Sequence, residues 1–183
     1  MTLWYATRVF GIVSFVLLSA VMTLGLLGAS RRTGYGAALL HRSLSLLSVV
    51  FVALHVVAAI GDGFVPLAWK DGFVPFLSGY RPLLTGLGTV AADLLLALVV
   101  TSLLRRRLGL HAWRAVHLLA PLCWPVALVH AVAIGTDTPT PWFLFPVSAS
   151  FAAVLAAGAL RLSGRGRAAA PVPVEPLKER LNR

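Results

Sequence analysis

The apolar positions of this chain fall into long uninterrupted blocks, without the period-two alternation of a strand or the one-sided stripe of a surface helix. Five blocks reach about the 20 residues that a helix needs to cross a hydrocarbon layer of about 30 Å. They lie near 9–30, 38–60, 84–104, 115–134 and 142–162. The first, VFGIVSFVLLSAVMTLGLLGAS, ends in small residues as a signal peptide does. Its apolar run of about 22 exceeds the usual 7–15 of a cleaved leader, so it is read as a helix. The pattern therefore predicts an all-α integral membrane protein, a bundle of five transmembrane helices over residues 1–162. A Pro-, Ala- and Arg-rich tail, 163–183, follows on the cytoplasmic side.

Composition agrees: 58% of the 183 residues are hydrophobic and only 12% are charged, against about 25% charged in an ordinary globular domain. The net charge of +10 would suggest nucleic acid in a soluble protein. Here the cations sit in the connections, so they report topology, and no nucleic-acid partner is expected. If the chain alternates, Arg31, Arg32, Arg105, Arg106, Arg107, Arg114, Arg161, Arg165, Arg167, Lys178, Arg180 and Arg183 share one side; Arg8, Lys70 and Arg81 lie on the other. The positive-inside rule then puts the N-terminus outside and the C-terminus in the cytoplasm. Arginine outnumbers lysine 14 to 2 and alanine is abundant. That usage points to a GC-rich bacterial genome and a multi-pass protein of a bacterial plasma membrane. The single cysteine, Cys123, falls inside the fourth span and has no intrachain disulfide partner.

One connection is long. Residues 61–83 contain DGFVP twice, at 62–66 and 71–75, with Phe64, Trp69, Phe73, Phe76 and Tyr80 among them. Such aromatics suit a segment at the outer headgroup level; a lid over an outward-facing site is the other reading.

Four of the five histidines lie inside two spans, where ionisable groups are costly and usually functional. His41 and His55 stand fourteen positions apart in the second span, and His117 and His130 thirteen apart in the fourth. At 1.5 Å per residue these spacings are roughly 21 and 20 Å, so two levels match. No single ion bridges such a gap, because a metal binds imidazole nitrogen at about 2 Å. Two centres are needed, each with one ring from each helix. A haem between helices, with two axial imidazoles, meets that requirement. On an ideal helix His55 returns to within about 40° of His41, but His130 lies about 140° from His117. Pro121 and Pro125 between them are expected to kink the helix and reduce the mismatch.

The pair at fourteen, the pair at thirteen, and the basic turn TSLLRRRLGLHAWRAVHLLA with Trp113 before His117 resemble the ferric reductase-like transmembrane domain over about residues 5–162. That family includes ferric reductases, the haem core of NADPH oxidases and the haem subunit of bacterial methionine sulfoxide reductase systems. The resemblance implies two haem b groups, the inner held by His41 and His117 and the outer by His55 and His130. It implies electron transfer from a cytoplasmic flavin donor to an outside acceptor, such as ferric chelate, oxygen, quinone or a partner reductase. Six spans are common in the family and five are counted here. No flavin or NADPH domain is legible in the tail, so a separate cytoplasmic flavin reductase or membrane quinol is the expected donor.

Arg42 and Arg114 flank the inner level and would pair with haem propionates or with lipid phosphates. Arg8, Lys70 and Arg81 are candidates for the same task at the outer level. Asp93, a lone carboxylate in the third span, is expected to bond to a neighbouring helix; a proton-handling group is the other reading. Trp124 is expected to pack between the levels, and His111 to be solvated in the basic turn. A non-enzymatic membrane protein, with histidines that pack or bind a metal, is the alternative.

Overall fold

The computed structural model describes residues 2–28 and 35–168, of which 164–168 by backbone alone. Among the described residues six α-helices run in order: α1 Thr2–Gly28, α2 Tyr35–Gly61, α3 Pro82–Leu103, α4 Arg105–His117, α5 Ala120–Ile134 and α6 Pro141–Ala168. A single 3-10 turn, Trp69–Gly72, interrupts the long connection, and no strand occurs among the described residues. The helices α1, α2, α3 and the Pro141–Ser163 part of α6 are each long and apolar enough to cross a membrane. The α4–α5 pair makes a fifth candidate if it is counted as one bent span. The protein is thus an all-helical, multi-pass membrane protein with four to five candidate spans.

The fourth span differs from expectation. The sequence suggests one helix over 115–134 kinked at its prolines; instead the chain breaks at Leu118–Leu119 and bends by 48° between α4 and α5. Pro121 explains the position. A proline four residues on removes the hydrogen bond to the His117 carbonyl and crowds it, so the disruption falls upstream of the ring itself. His117 therefore ends α4 while His130 belongs to α5, and the angular mismatch of an ideal helix does not carry across the break. The arginine-rich α4 is itself interrupted at Gly109, which takes φ 80°, a conformation that costs glycine little and other residues more.

Helix α1 is the hub, packing against α2, α5 and α6, while α3 packs chiefly on α5 and α4. Phe15, Trp124, Phe143, Val147 and Val154 form one buried cluster, and Leu95, Leu98 and Cys123 a second. Trp124 stacks on Phe151 with centroids 5.9 Å apart. Its indole N–H donates to Ser19 Oγ at 2.8 Å, and Ser19 donates on to the Phe15 carbonyl. A buried indole N–H left alone would cost about 1–3 kcal/mol, so Ser19 makes this packing possible. Ser14, Ser45 and Ser48 likewise return their hydroxyls to carbonyls four residues back. That is how an apolar helix carries serine where no water is present.

The long connection packs on the Pro82 end of α3. Thr89 donates to the Asp71 carbonyl at 2.8 Å, and the Asp71 carboxylate accepts the Ala68 N–H at 2.9 Å. Phe76 closes on Gly86, and Phe64, Trp69, Phe73 and Phe76 remain exposed, as an interfacial aromatic segment requires. The two DGFVP copies are not structural repeats: Gly63 sits in a left-handed bend, while Asp71 lies within the 3-10 turn. Helix α6 continues to Ala168, beyond the boundary at 162. The remaining tail with Lys178, Arg180 and Arg183 lies outside the described residues, as do Arg31 and Arg32.

Candidate functional site

The rings of His55 and His41 lean from α2 onto α1 at two places built alike. His55 Nδ1 lies 2.8 Å from the Thr7 carbonyl and His41 Nδ1 3.1 Å from the Val21 carbonyl. Four residues after each carbonyl stands a glycine, Gly11 or Gly25, whose missing side chain leaves room for the ring. A Cβ at Gly11 would come within 3.0 Å of His55 Cε1, and one at Gly25 within 3.4 Å of His41 Cε1. The arrangement recurs between α5 and α3. His130 Nδ1 meets the Leu84 carbonyl at 2.7 Å, and Gly88, again four residues on, lies against its ring.

A carbonyl only accepts, so Nδ1 must carry the proton in these three rings. That fixes the tautomer and leaves the Nε2 lone pair free for a metal. A carbonyl also has two lone pairs, so it can serve the ring and its own helix together.

His55 and His130 face each other with ring centroids 6.4 Å apart and planes at 82°. Two metal–imidazole bonds of about 2.0 Å plus the two ring radii give a separation of about 6.3 Å. That spacing would suit one metal ion held by both rings. Toward the arginine-rich end, His41 and His117 line one cavity of about 1250 Å³, walled by residues such as Leu18, Met22, Leu95 and Leu98. That exceeds the roughly 300–1,000 Å³ of ordinary small-molecule sites. His117 is held differently from the other three. Its Nδ1 is buried with no hydrogen-bond partner among the described residues. Trp113 stacks on it with centroids 5.0 Å apart, and Trp113 Nε1 is anchored to Ser102 Oγ at 3.1 Å.

Among the described residues no three or more His, Cys, Asp or Glu converge. A bare tetrahedral ion thus has no full ligand set in them. Two imidazoles per level suit a macrocycle that brings its own equatorial nitrogens.

Arg42 and Arg114 line the cavity, together with Arg105, Arg106 and Arg161. The outer cations are differently occupied. Arg8 pairs with Asp137, donates to Thr136 Oγ1 at 2.8 Å and lies 3.5 Å over the Trp4 ring. Arg81 donates to the Ala133 and Ile134 carbonyls at 3.2 and 3.4 Å, closing the end of α5. Lys70 is exposed on the 3-10 turn. Arg8 and Arg81 are thus engaged in loop and helix-end contacts, while Lys70 makes none of these. His111 is exposed, in keeping with a solvated basic turn. Cys123 is buried, with Sγ 3.4 Å from the Ala91 carbonyl. Asp93 does not bond to a neighbouring helix as expected; its side chain is exposed on α3.

Thr7, Val21, Leu84 and the three glycines are absent from the sequence-based site. One signal was available: Gly11 and Gly25 are separated by the same interval as His41 and His55. Gly88 has no such counterpart, since the position one interval beyond it is Ser102.

No curated protein and no solved structure matches the chain. A family model described as the ferric reductase like transmembrane component matches residues 10–128, a stretch that takes in His41, His55 and His117 and stops just short of His130. With an all-helical membrane architecture and more than half of the chain matched, the protein belongs to the ferric reductase-like transmembrane family of membrane oxidoreductase components, a family typically associated with haem.

Proposed function

We propose that the protein is a di-haem b electron-transfer subunit that accepts electrons at its arginine-rich face and delivers them to an acceptor at the opposite face. The 6.4 Å spacing of His55 and His130, with Nδ1 of each ring tied to a carbonyl, is the observation that carries this reading. His41 and His117 would hold the second group in the large cavity. Haem iron, once bound, supplies one-electron redox chemistry at each level. The chain's own residues do the rest. Thr7, Val21 and Leu84 orient three ligand rings and raise their basicity, Trp113 steadies the fourth, and Arg42 and Arg114 are placed to neutralise propionates at the cavity. By the positive-inside rule the arginine-rich end faces the cytoplasm of a bacterial plasma membrane, with both the N-terminus and the 62–81 connection outside.

The donor is a separate cytoplasmic flavin reductase or a membrane quinol. The acceptor is a ferric chelate, oxygen, quinone or partner reductase outside. The test is haem stoichiometry in the purified protein, by pyridine haemochrome assay. Two low-spin b-type haems per chain are expected; one or none would sink the proposal.

Arg105, Arg106 and Arg107 are all exposed beside the cavity. Clustered positive charge steers an acidic partner, with rate factors of about 10 or more at low salt. Replacing all three by glutamine is expected to slow haem reduction by a flavin reductase about ten-fold at low ionic strength. At high salt the two proteins should converge. Stopped-flow traces that coincide at low salt would remove the docking face without touching the haem assignment.

A further inference from the structure

Asp93 occupies the middle of α3, twelve positions from Arg81 at one end and twelve from Arg105 at the other. That places both cations about 18 Å away along the axis. Its side chain is exposed, and it makes no hydrogen bond or ion pair with any described residue. A carboxylate facing hydrocarbon at mid-span costs several kcal/mol by any scale and as a rule faces a partner or a water-filled cavity. The surrounding surface is of one kind. Leu96, Ala97 and Val100 follow Asp93 at +3, +4 and +7 and are also exposed, forming one helical stripe. The Pro82 half of α3 differs, for there the long connection covers Gly86 and Thr89.

We infer that this stripe is the docking face for a transmembrane helix of a different protein, one that carries a lysine, arginine or other strong hydrogen-bond donor at the depth of Asp93. Charge complementarity selects that occupant. A second copy of this chain, lying parallel in the same bilayer, would bring Asp93 against Asp93. Among the described residues every lysine and arginine that belongs to an α-helix stands within about two turns of an end of that helix, well away from mid-span, and His55 and His130 are turned inward onto Thr7 and Leu84. A helix with a central donor satisfies the carboxylate, while Leu96, Ala97 and Val100 supply close packing of the kind that drives association in lipid.

The probe is dicyclohexylcarbodiimide, a membrane-soluble reagent for carboxyl groups within the bilayer, with labelling of Asp93 followed by mass spectrometry. The full chain reconstituted alone at high dilution should label at Asp93, and Asp93→Asn should not. In native membranes the same site should label about ten-fold more slowly, the size expected of one interhelical polar contact. Equal rates in the two settings would overturn the inference. Protection that grows with chain density in vesicles holding this protein alone would also overturn it, since a second copy would then be the cover. A synthetic apolar helix of about 20 residues with a central lysine should slow labelling in the vesicles. The same helix with leucine at the centre should not, and equal behaviour of the two would refute the charge pairing.

Discussion

Replacing His55 or His130 by alanine is expected to lower the haem content from two per chain to one, with the His41–His117 centre still bound. The two rings sit 6.4 Å apart and rest on different helices, His55 against Thr7 of α1 and His130 against Leu84 of α3. Their hydrogen bonds and ring contacts are separate from those of His41 and His117. With one of them gone, a group that His55 and His130 would hold between them would have a single imidazole from this chain, too few to retain it in an apolar gap. The packing cost is also local, because truncating a ring that is already notched into a glycine opens a cavity against one helix face. A haemochrome value near one, with the low-spin spectrum of the remaining centre intact, is the expected result. If a folded His130→Ala protein, monodisperse in detergent, holds no haem at all, then the assignment of ligands by level is wrong.

The second large effect should come from a single methyl group. In Gly88→Ala the new Cβ would stand 2.6 Å from His130 Nδ1 and 2.8 Å from Nε2, distances that no relaxed structure tolerates. The ring has to leave, and with it goes the 2.7 Å hydrogen bond to Leu84. Overpacking of this kind costs about 1–3 kcal/mol. Loss of the partner that orients a metal-bound imidazole lowers metal affinity by about 10–100-fold. Gly11→Ala meets His55 at 3.0 Å and should do the same more weakly; Gly25→Ala meets His41 at 3.4 Å, ordinary contact, and should be nearly silent. The expected order of haem loss at the respective level is therefore Gly88, then Gly11, then Gly25. Equal haem retention in all three, measured by the α-band absorbance per chain, would show that the rings are not seated as described.

Much of this protein was legible without coordinates, for identifiable reasons. Runs of about 20 or more apolar residues have few alternatives to a spanning helix, so α1, α2, α3 and α6 appear where hydropathy puts them, although α1 starts at Thr2 and α6 runs on to Ala168. The axial separation of His41 and His55 was likewise readable, since both lie on the unbroken α2 and rise there depends only on residue count; for His117 and His130 the count does not give the rise, because α4 and α5 meet at a bend. What failed was anything set by side-chain reach or by a local break. Arg8 looked like a free outer cation because its partner Asp137 lies far along the chain, in the turn after α5. The angular mismatch of His117 and His130 looked like a difficulty for the prolines to solve by kinking the middle of a helix. Pro121 acts instead on the carbonyl four residues before it, so the bend falls just after His117. Asp93 was expected to find a partner within the bundle because intramembrane carboxylates usually do; which face of α3 it occupies depends on how α3 rotates against α5, and no single-helix pattern contains that.

The interval shared by the ligands and their notches is also two heptads, and this turns the α1–α2 pair into a ruler. Thr7 and Val21, Gly11 and Gly25, and His55 and His41 all repeat at that interval on antiparallel helices. A straight helix drifts by about 20° per heptad against a seven-residue repeat, a drift that a gentle left-handed wrap absorbs. The distance between the two levels is therefore quantised. Adding one residue between Gly11 and Gly25 would swing one notch by about 100° and lose its ring, whereas adding a heptad to each of α1 and α2 would keep both notches and open the levels by about 10.5 Å. Any chain built on this pattern can lengthen its path across the bilayer only by insertions, such as a heptad, that return both notches to nearly the same face.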